Sequence, residues 1–176
     1  MAHIERKLSS KPVFEGKIVN VYHDTVELEN GNQAFREVIR HPGAVAVLAL
    51  DGEEILLVRQ YRYCIGQELL EIPAGKLEKG EDPRAAALRE LREETGAVPG
   101  ELRSLGELYP SPGYCGEIIH LFLARDLRFG ETDPDEDEFL HLERIPFDTL
   151  VEQVLDGTVK DAKTVAAVLK AKLLGL

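Results

Sequence analysis

The spacing of apolar residues changes character along the chain, and each change predicts an element. Gly43-Ala-Val-Ala-Val-Leu-Ala-Leu50 is an unbroken apolar run, the pattern of a buried strand, and Asp51-Gly52 supplies a hairpin turn into Ile55-Leu-Leu-Val58. Residues 43 to 63 are therefore expected to form a deeply buried hairpin. Upstream, residues 13 to 28 mix β-branched and polar residues in loose alternation. Glu29-Asn30-Gly31-Asn32 then turns the chain back into Ala34 to His41, which predicts a second hairpin at the N-terminus. Downstream, Leu102 to Tyr109 and Ile118 to Ala124 read as strands separated by the turn Ser111-Pro112-Gly113-Tyr114, and Phe147 to Leu155 and Ala162 to Leu174 read as helices.

Pro73, Gly75 and Gly80 make residues 72 to 81 a structured loop. Asp82 as N-cap and Pro83 at the first helical position then open a helix that Gly96 closes. At about 100° per residue, Ala85, Leu88 and Leu91 fall on one side of this helix, the expected core face, and Glu90, Glu93 and Glu94 crowd the other. An acidic helix face is ordinarily a solvated one. Here the three glutamates repel one another and sit toward the C-terminal end, where the helix dipole disfavours anions. Arg89 can bridge Glu93 one turn on, but a hard divalent cation such as Mg²⁺ relieves the cluster more effectively.

Composition narrows the partners. Thirty-two Asp and Glu against 21 Lys and Arg give a net charge of −11, which disfavours attraction to a nucleic-acid backbone or an anionic membrane. Cys64 and Cys115 form no ligand-spaced pattern and are expected as buried free thiols, and the five histidines form no zinc-type pair. The N-terminal residues carry charges throughout, and the longest apolar run, Ala44 to Leu50, is too short to span a bilayer, so a cytoplasmic protein is expected.

Gly75, Glu81, Arg89, Glu90, Glu93, Glu94 and Gly96 match every fixed position of the Nudix box, G-x5-E-x7-R-E-U-x-E-E-x-G-U, where U is apolar. Leu91 fills the first apolar position, and Ala97 stands at the last, where a larger aliphatic is usual. Arg59-Gln-Tyr-Arg62, Glu71-Ile-Pro-Ala-Gly75, Ser111-Pro-Gly113, Asp135-Glu-Asp-Glu-Phe139 and Asp161-Ala-Lys-Thr164 resemble flanking motifs of the ADP-ribose pyrophosphatase subfamily. The chain thus resembles the Nudix hydrolase superfamily from about Phe14 to Leu169.

The resemblance implies an α/β fold, the Nudix α/β/α sandwich with a mixed β-sheet, as a hydrolase domain over residues 42–176. It also implies an N-terminal β region over 1–41, exchanged between the subunits of a homodimer. The implied reaction is Mg²⁺-dependent hydrolysis of ADP-ribose to AMP and ribose 5-phosphate, with Mn²⁺ or another divalent ion as a substitute and two or more ions per site. Another or broader range of nucleoside diphosphate sugars or dinucleotides is the alternative, and a non-hydrolysing ADP-ribose sensor stands behind both.

By similarity, Glu90 and Glu94 ligate the metal with the backbone carbonyl of Ala74, and Glu93 shares a second ion or orients the water. Arg89 holds the glutamates, between the structural glycines Gly75 and Gly96. Glu81 either joins this charge network or is a helix-start carboxylate favoured by the dipole. A further carboxylate must accept the water's proton, and in the subfamily it comes from a loop after the box. Here that loop is the acidic stretch Glu131 to Glu138, with Glu138 preferred over Glu136. Arg62 contacts a substrate phosphate by similarity, Arg36 and Glu37 border the adenine, Lys76 reaches the substrate, and Pro112, sixteen residues past Gly96, goes with ADP-ribose preference. Tyr61, Tyr63 and Phe139 are expected as packing residues rather than substrate platforms.

Overall fold

The computed structural model describes residues 3–132 and 140–175. The chain divides into two compact units, one of Met1–Gly43 with Tyr109–Ile118, the other of Ala44–Leu108 with Ile119–Leu176. The first is a three-stranded antiparallel sheet in the order β1 (Arg6–Glu15), β2 (Asn20–Glu27), β3 (Gln33–Arg40). The expected hairpin is its β2–β3 pair, closed by Leu28 N–H to the Asn32 carbonyl at 2.8 Å. The stretch read as one strand over 13–28 is in fact broken at Gly16, whose N–H bonds the Val19 carbonyl at 3.0 Å, and β1 precedes the break. Every residue of β1 is exposed, so it carries none of the alternation by which a half-buried strand is recognised. The Ser111–Tyr114 turn is present, and Ile39 of β3 bonds its far end, N–H to the Tyr114 carbonyl at 2.7 Å.

The second unit is built on β4 (Ala44–Asp51), β5 (Glu54–Arg62), β6 (Gln67–Glu71), β7 (Ala74–Lys76), α1 (Pro83–Thr95), β8 (Ala97–Leu108), β9 (Ile119–Phe129), β10 (His141–Pro146), α2 (Phe147–Leu155) and α3 (Ala162–Leu173). Its strands form one mixed seven-stranded sheet in the order β10-β5-β4-β9-β8, with β4 and β9 parallel. The 43–63 hairpin is there, but β5 pairs β4 only over Glu54–Leu56. Beyond that the two diverge: β6 follows β5, β7 follows the start of β4, and Ile72-Pro73 crosses the split.

Strict alternation in the central strands sends side chains to two separate cores. Ala44, Ala46 and Leu48 of β4, with Ile55, Leu57, Leu121 and Leu123, pack against α2 and α3. Val45, Val47 and Ala49, with Leu56, Phe122 and Ala124, pack against Ala86, Ala87 and Leu91 of α1. The second unit is therefore the expected α/β/α sandwich. Ala97 is fully buried in the α1 core. Among the described residues no helix is long and apolar enough to cross a membrane.

Helix α1 has the expected ends. Asp82 accepts from the N–H groups of Arg84 and Ala85, both at 3.0 Å, Pro83 follows it, and Gly96 caps the C-terminus at φ +70°. Its inward face differs from the one expected. Ala85 and Leu88 are exposed, and the buried stripe is Ala86, Ala87, Leu91, Glu94 and Thr95. Strands β6 and β7 were not anticipated, because strands this short leave little apolar signature. Leu91→Ala should destabilise the protein by about 2–5 kcal/mol in urea unfolding, the usual cost of truncating a packed leucine.

Candidate active site

The helical period that buries Ala86, Ala87 and Leu91 places Glu90 and Glu94 between them on the inward side of α1. What they face is β7. Glu94 is 6% exposed, and its Oε2 accepts the backbone N–H of Ala74 at 3.2 Å. Glu90 lies on Gly75 so closely that a Cβ there would come within 1.9 Å of its carboxylate carbon. Gly75 is thus required by contact, since any side chain would occupy the place of the Glu90 carboxylate.

Arg89 ties this arrangement together. Its guanidinium forks onto Glu81, Nε and Nη2 each at 2.9 Å, and Nη1 reaches Glu90 at 2.7 Å and Glu93 at 3.1 Å, while Nη2 also bonds the Lys76 carbonyl at 3.3 Å. The hydrogen bonds to Glu81 come first in raising the Arg89 pKa, so this cation is fixed at any working pH. In return the Arg89 hydrogen bonds, with a backbone bond from Glu78, pull the Glu81 carboxyl from its ordinary 4.5 down to about 2. Glu81 therefore belongs to the charge network, one of the two roles its position allowed.

A second cluster adjoins the first. Glu71, at the end of β6, is 1% exposed, yet it carries a carboxylate held by two cations: Arg62 forks onto it at 2.6 and 2.7 Å, and Lys163 of α3 pairs with Oε2, which also accepts from Arg62. Burial opposes ionisation of Glu71, but the hydrogen bonds and charges of Arg62 and Lys163 outweigh it and its pKa is lowered. Lys163 also reaches Asp161 at 3.0 Å, and Asp161 caps α3 through Thr164, whose hydroxyl in turn accepts the Ile72 N–H at 2.9 Å. Glu71, Asp161, Lys163 and Thr164 were recognised as motif positions without a role. The signal was an Asp-x-x-Thr capping pattern at a helix start.

The site residues therefore fall as follows. The second unit brings together Ala74, Gly75, Lys76, Glu81, Arg89, Glu90, Glu93, Glu94 and Gly96, with Arg62 anchored on Glu71. Lys76 is itself exposed. In the first unit, Arg36 forks onto Glu5, Glu37 is largely exposed and 3.7 Å from His23, and Pro112 lies in the Ser111–Tyr114 turn. Glu136, Glu138 and Phe139 lie outside the described residues. Tyr61 and Tyr63 are exposed rather than packed, and Cys64 is exposed and Cys115 half-buried, so neither thiol is the buried one expected.

Among the described residues no three His, Cys, Asp or Glu side chains form an assembled metal site, and Glu90 and Glu93 both bond Arg89. The donor set is nonetheless that of a hard divalent ion: carboxylate oxygens on one helix face, seated against a backbone that glycine leaves open. Residues 40–168 match the NUDIX domain model, and residues 5–39 match the nucleoside diphosphate sugar hydrolase N-terminal domain. The chain is 43% identical to a Bacillus subtilis protein named ADP-ribose pyrophosphatase, over 93% of this chain and 90% of that one. It is 45% identical, with the same coverage, to a Bacillus methanolicus protein named methanol dehydrogenase activator. In fold it is similar to a solved ADP compounds hydrolase, at TM-score 0.85 and 24% identity over 97% of this chain and 93% of that one.

Two outcomes follow from the geometry. In Gly75→Ala the new methyl displaces the flexible end of Glu90 rather than the backbone. Unfolding stability should then change by about 1 kcal/mol or less, while divalent-ion binding measured by calorimetry weakens about 10–100-fold. The Glu81 pKa also sets a pH window. Because folding lowers it, the stability it contributes is fully present above pH 4.5 and is lost as pH falls toward about 2. Melting curves of wild type and Glu81→Gln should be furthest apart above pH 4.5 and converge toward pH 2.

Proposed function

The chain belongs to the NUDIX domain family, and from that premise we propose that it hydrolyses the pyrophosphate bond of ADP-ribose, giving AMP and ribose 5-phosphate. The observation that carries the proposal is the seating of Glu90 and Glu94 on the inward face of α1 against Ala74-Gly75. Buried carboxylates on a helix have no packing purpose and a high desolvation cost, so they point to a cation.

Divalent-metal dependence comes with the family, and Mg²⁺, at two or more ions per site, is the form proposed. Glu90, Glu94 and the Ala74 carbonyl would hold it, with Glu93 sharing a further ion or orienting the water. When bound, the ion neutralises charge on the phosphate oxygens and makes a coordinated water more acidic. Arg89 keeps the glutamates from swinging apart by bonding Glu81, Glu90 and Glu93 at once. Glu138, or Glu136 two positions before it, takes the proton of the attacking water. Arg62, oriented by Glu71 and still 43% exposed at its side chain, meets a substrate phosphate. Arg36 and Glu37 border the adenine, and Lys76 and Pro112 contact the substrate.

We assign the active form as a homodimer in the cytoplasm, in which the region 1–41 of each chain lines the partner's nucleotide pocket. In its support, Ile4, Val13, Phe14, Ile18 and Phe35 of the first unit are all more than half exposed, an apolar surface suited to cover by a second chain. A broader action on nucleoside diphosphate sugars is the second reading, favoured by the match of residues 5–39.

A product assay with Mg²⁺ and with chelator separates these. ADP-ribose should be cleaved in preference to ADP-glucose, NADH, a dinucleoside polyphosphate and dGTP, and only with metal. Equal rates on several nucleotide sugars would favour the broader reading. Glu90→Gln and Glu94→Gln should each lose more than the roughly 10–100-fold typical of residues one step removed from a metal; near-normal turnover in both would overturn the assignment.

A further inference from the structure

Helix α3 supplies nothing to the Nudix box, yet its first turn holds the segment against which the box glutamates rest. Thr164 is fully buried, and its hydroxyl is committed twice, donating to Asp161 Oδ2 at 2.6 Å and accepting the Ile72 N–H at 2.9 Å. Two residues on, the Ala74 N–H holds Glu94 at 3.2 Å. Between them Pro73 has no N–H and a fixed φ, and its carbonyl accepts from Val47 of β4 at 2.9 Å. Immediately before them, Glu71 is gripped by Lys163 from the same turn of α3. The segment Glu71–Ala74 is thus tied at every residue: Glu71 to Lys163 of α3 and, as the end of β6, to Val58 of β5; Ile72 to Thr164 of α3; Pro73 to Val47 of β4; and Ala74 to Glu94 and, as the start of β7, to Ala46 of β4. Pro73, with its φ fixed and its carbonyl held by Val47, stiffens the path from Ile72 to Ala74. The Ala74–Glu94 bond stands at the long end of the hydrogen-bond range, where a small displacement breaks it.

We propose that Thr164, with Lys163, is a positioning residue of the active site: the first turn of α3 sets the place of Ala74, and through it the affinity of the Glu90–Glu94 pair for a divalent cation. The proposal rests on the assignment of those glutamates to the cation. It takes the Asp161–Thr164 motif, which lies seventy residues beyond Glu94 by the time Thr164 is reached, as part of the same site. A purely structural role for Thr164 would lower stability and leave the folded protein's cation affinity alone.

The test is Mn²⁺ binding to the substrate-free protein, followed by electron paramagnetic resonance, in wild type, Thr164→Val and Thr164→Ser, each shown to be folded by circular dichroism. Thr164→Val keeps the shape and removes the hydroxyl, and it should bind Mn²⁺ about 10-fold or more weakly. Thr164→Ser, which keeps the hydroxyl, should stay within about threefold of wild type. With metal saturating, the KM for ADP-ribose should be unchanged in Thr164→Val, since no substrate contact is lost. Should Thr164→Val fail to fold, Lys163→Met, which leaves Arg62 on Glu71, serves in its place and should show the same weakening. Wild-type affinity in a folded Thr164→Val or, in its absence, Lys163→Met, overturns the positioning role alone, as does equal weakening in Thr164→Ser. Absence of Mn²⁺ binding in wild type overturns the metal assignment itself and this inference with it.

Discussion

The structure turns on carboxylates placed where a helix would normally bury apolar side chains. Withdrawing a glutamate from water costs several kcal/mol unless charge and hydrogen bonds replace the lost hydration. Glu94 is buried on the inward face of α1, and Glu90 is nearly so. Much of the surrounding architecture answers that constraint. Ala86 and Ala87 are small enough to bring the helix close to the sheet, Gly75 has no side chain to hold Glu90 away, and the Ala74 N–H is turned to Glu94 instead of solvent. Arg89 then offsets three carboxylates with one forked cation, the geometry in which such bonds are strongest.

The same constraint explains why the sheet divides. A β5 that stayed paired with β4 along its whole length would leave no place for β7 under the helix. Because the pairing stops at Leu56, the start of β4 is free to take β7, and Ile72-Pro73 crosses the gap. Residues in that gap need partners for their backbone groups, and they find them above and below: Val47 on the sheet and Thr164 on α3. The three layers are thereby coupled at one short segment, with the helix of glutamates on one side and the capped start of α3 on the other.

How far the sequence revealed this depends on which residues carried a signal. The β4–β5 hairpin, the caps of α1 at Asp82 and Gly96, and helices α2 and α3 were legible, since each rests on a local pattern of burial or turn chemistry. The box residues were legible because their spacing is unusual, and the places of Arg89, Glu90, Glu93 and Glu94 on α1 follow from it. What sequence misassigned was the direction α1 faces. Counting apolar residues chose Ala85 and Leu88 with Leu91 for the core and set the glutamates on the opposite face, where a cation was expected. The packing reverses this, and Leu88 is exposed while Glu94 is buried. Strand β1 escaped because all its residues are exposed, and β6 and β7 because they are too short to show a period. Thr164 could be read as a cap residue, but its bond to Ile72 spans 92 positions and has no local trace.

The charge balance around the split gives the site its direction of action. Glu71, Glu81, Glu90, Glu93 and Asp161 are ion-paired with four cationic side chains, Arg62, Arg89, Arg92 and Lys163, and Glu94 lies in the field of Arg62, so this network sets six carboxylates against four positive charges. A pyrophosphate approaching this surface alone meets net repulsion, on a chain whose overall charge is already −11. One divalent cation cancels the local excess, and further ions invert it. On the proposed assignment, cation binding is thus a precondition for holding an anionic substrate. Under the assignment proposed above, the desolvation cost of Glu90 and Glu94 is what draws the cation to them and not to the more exposed carboxylates elsewhere on the surface.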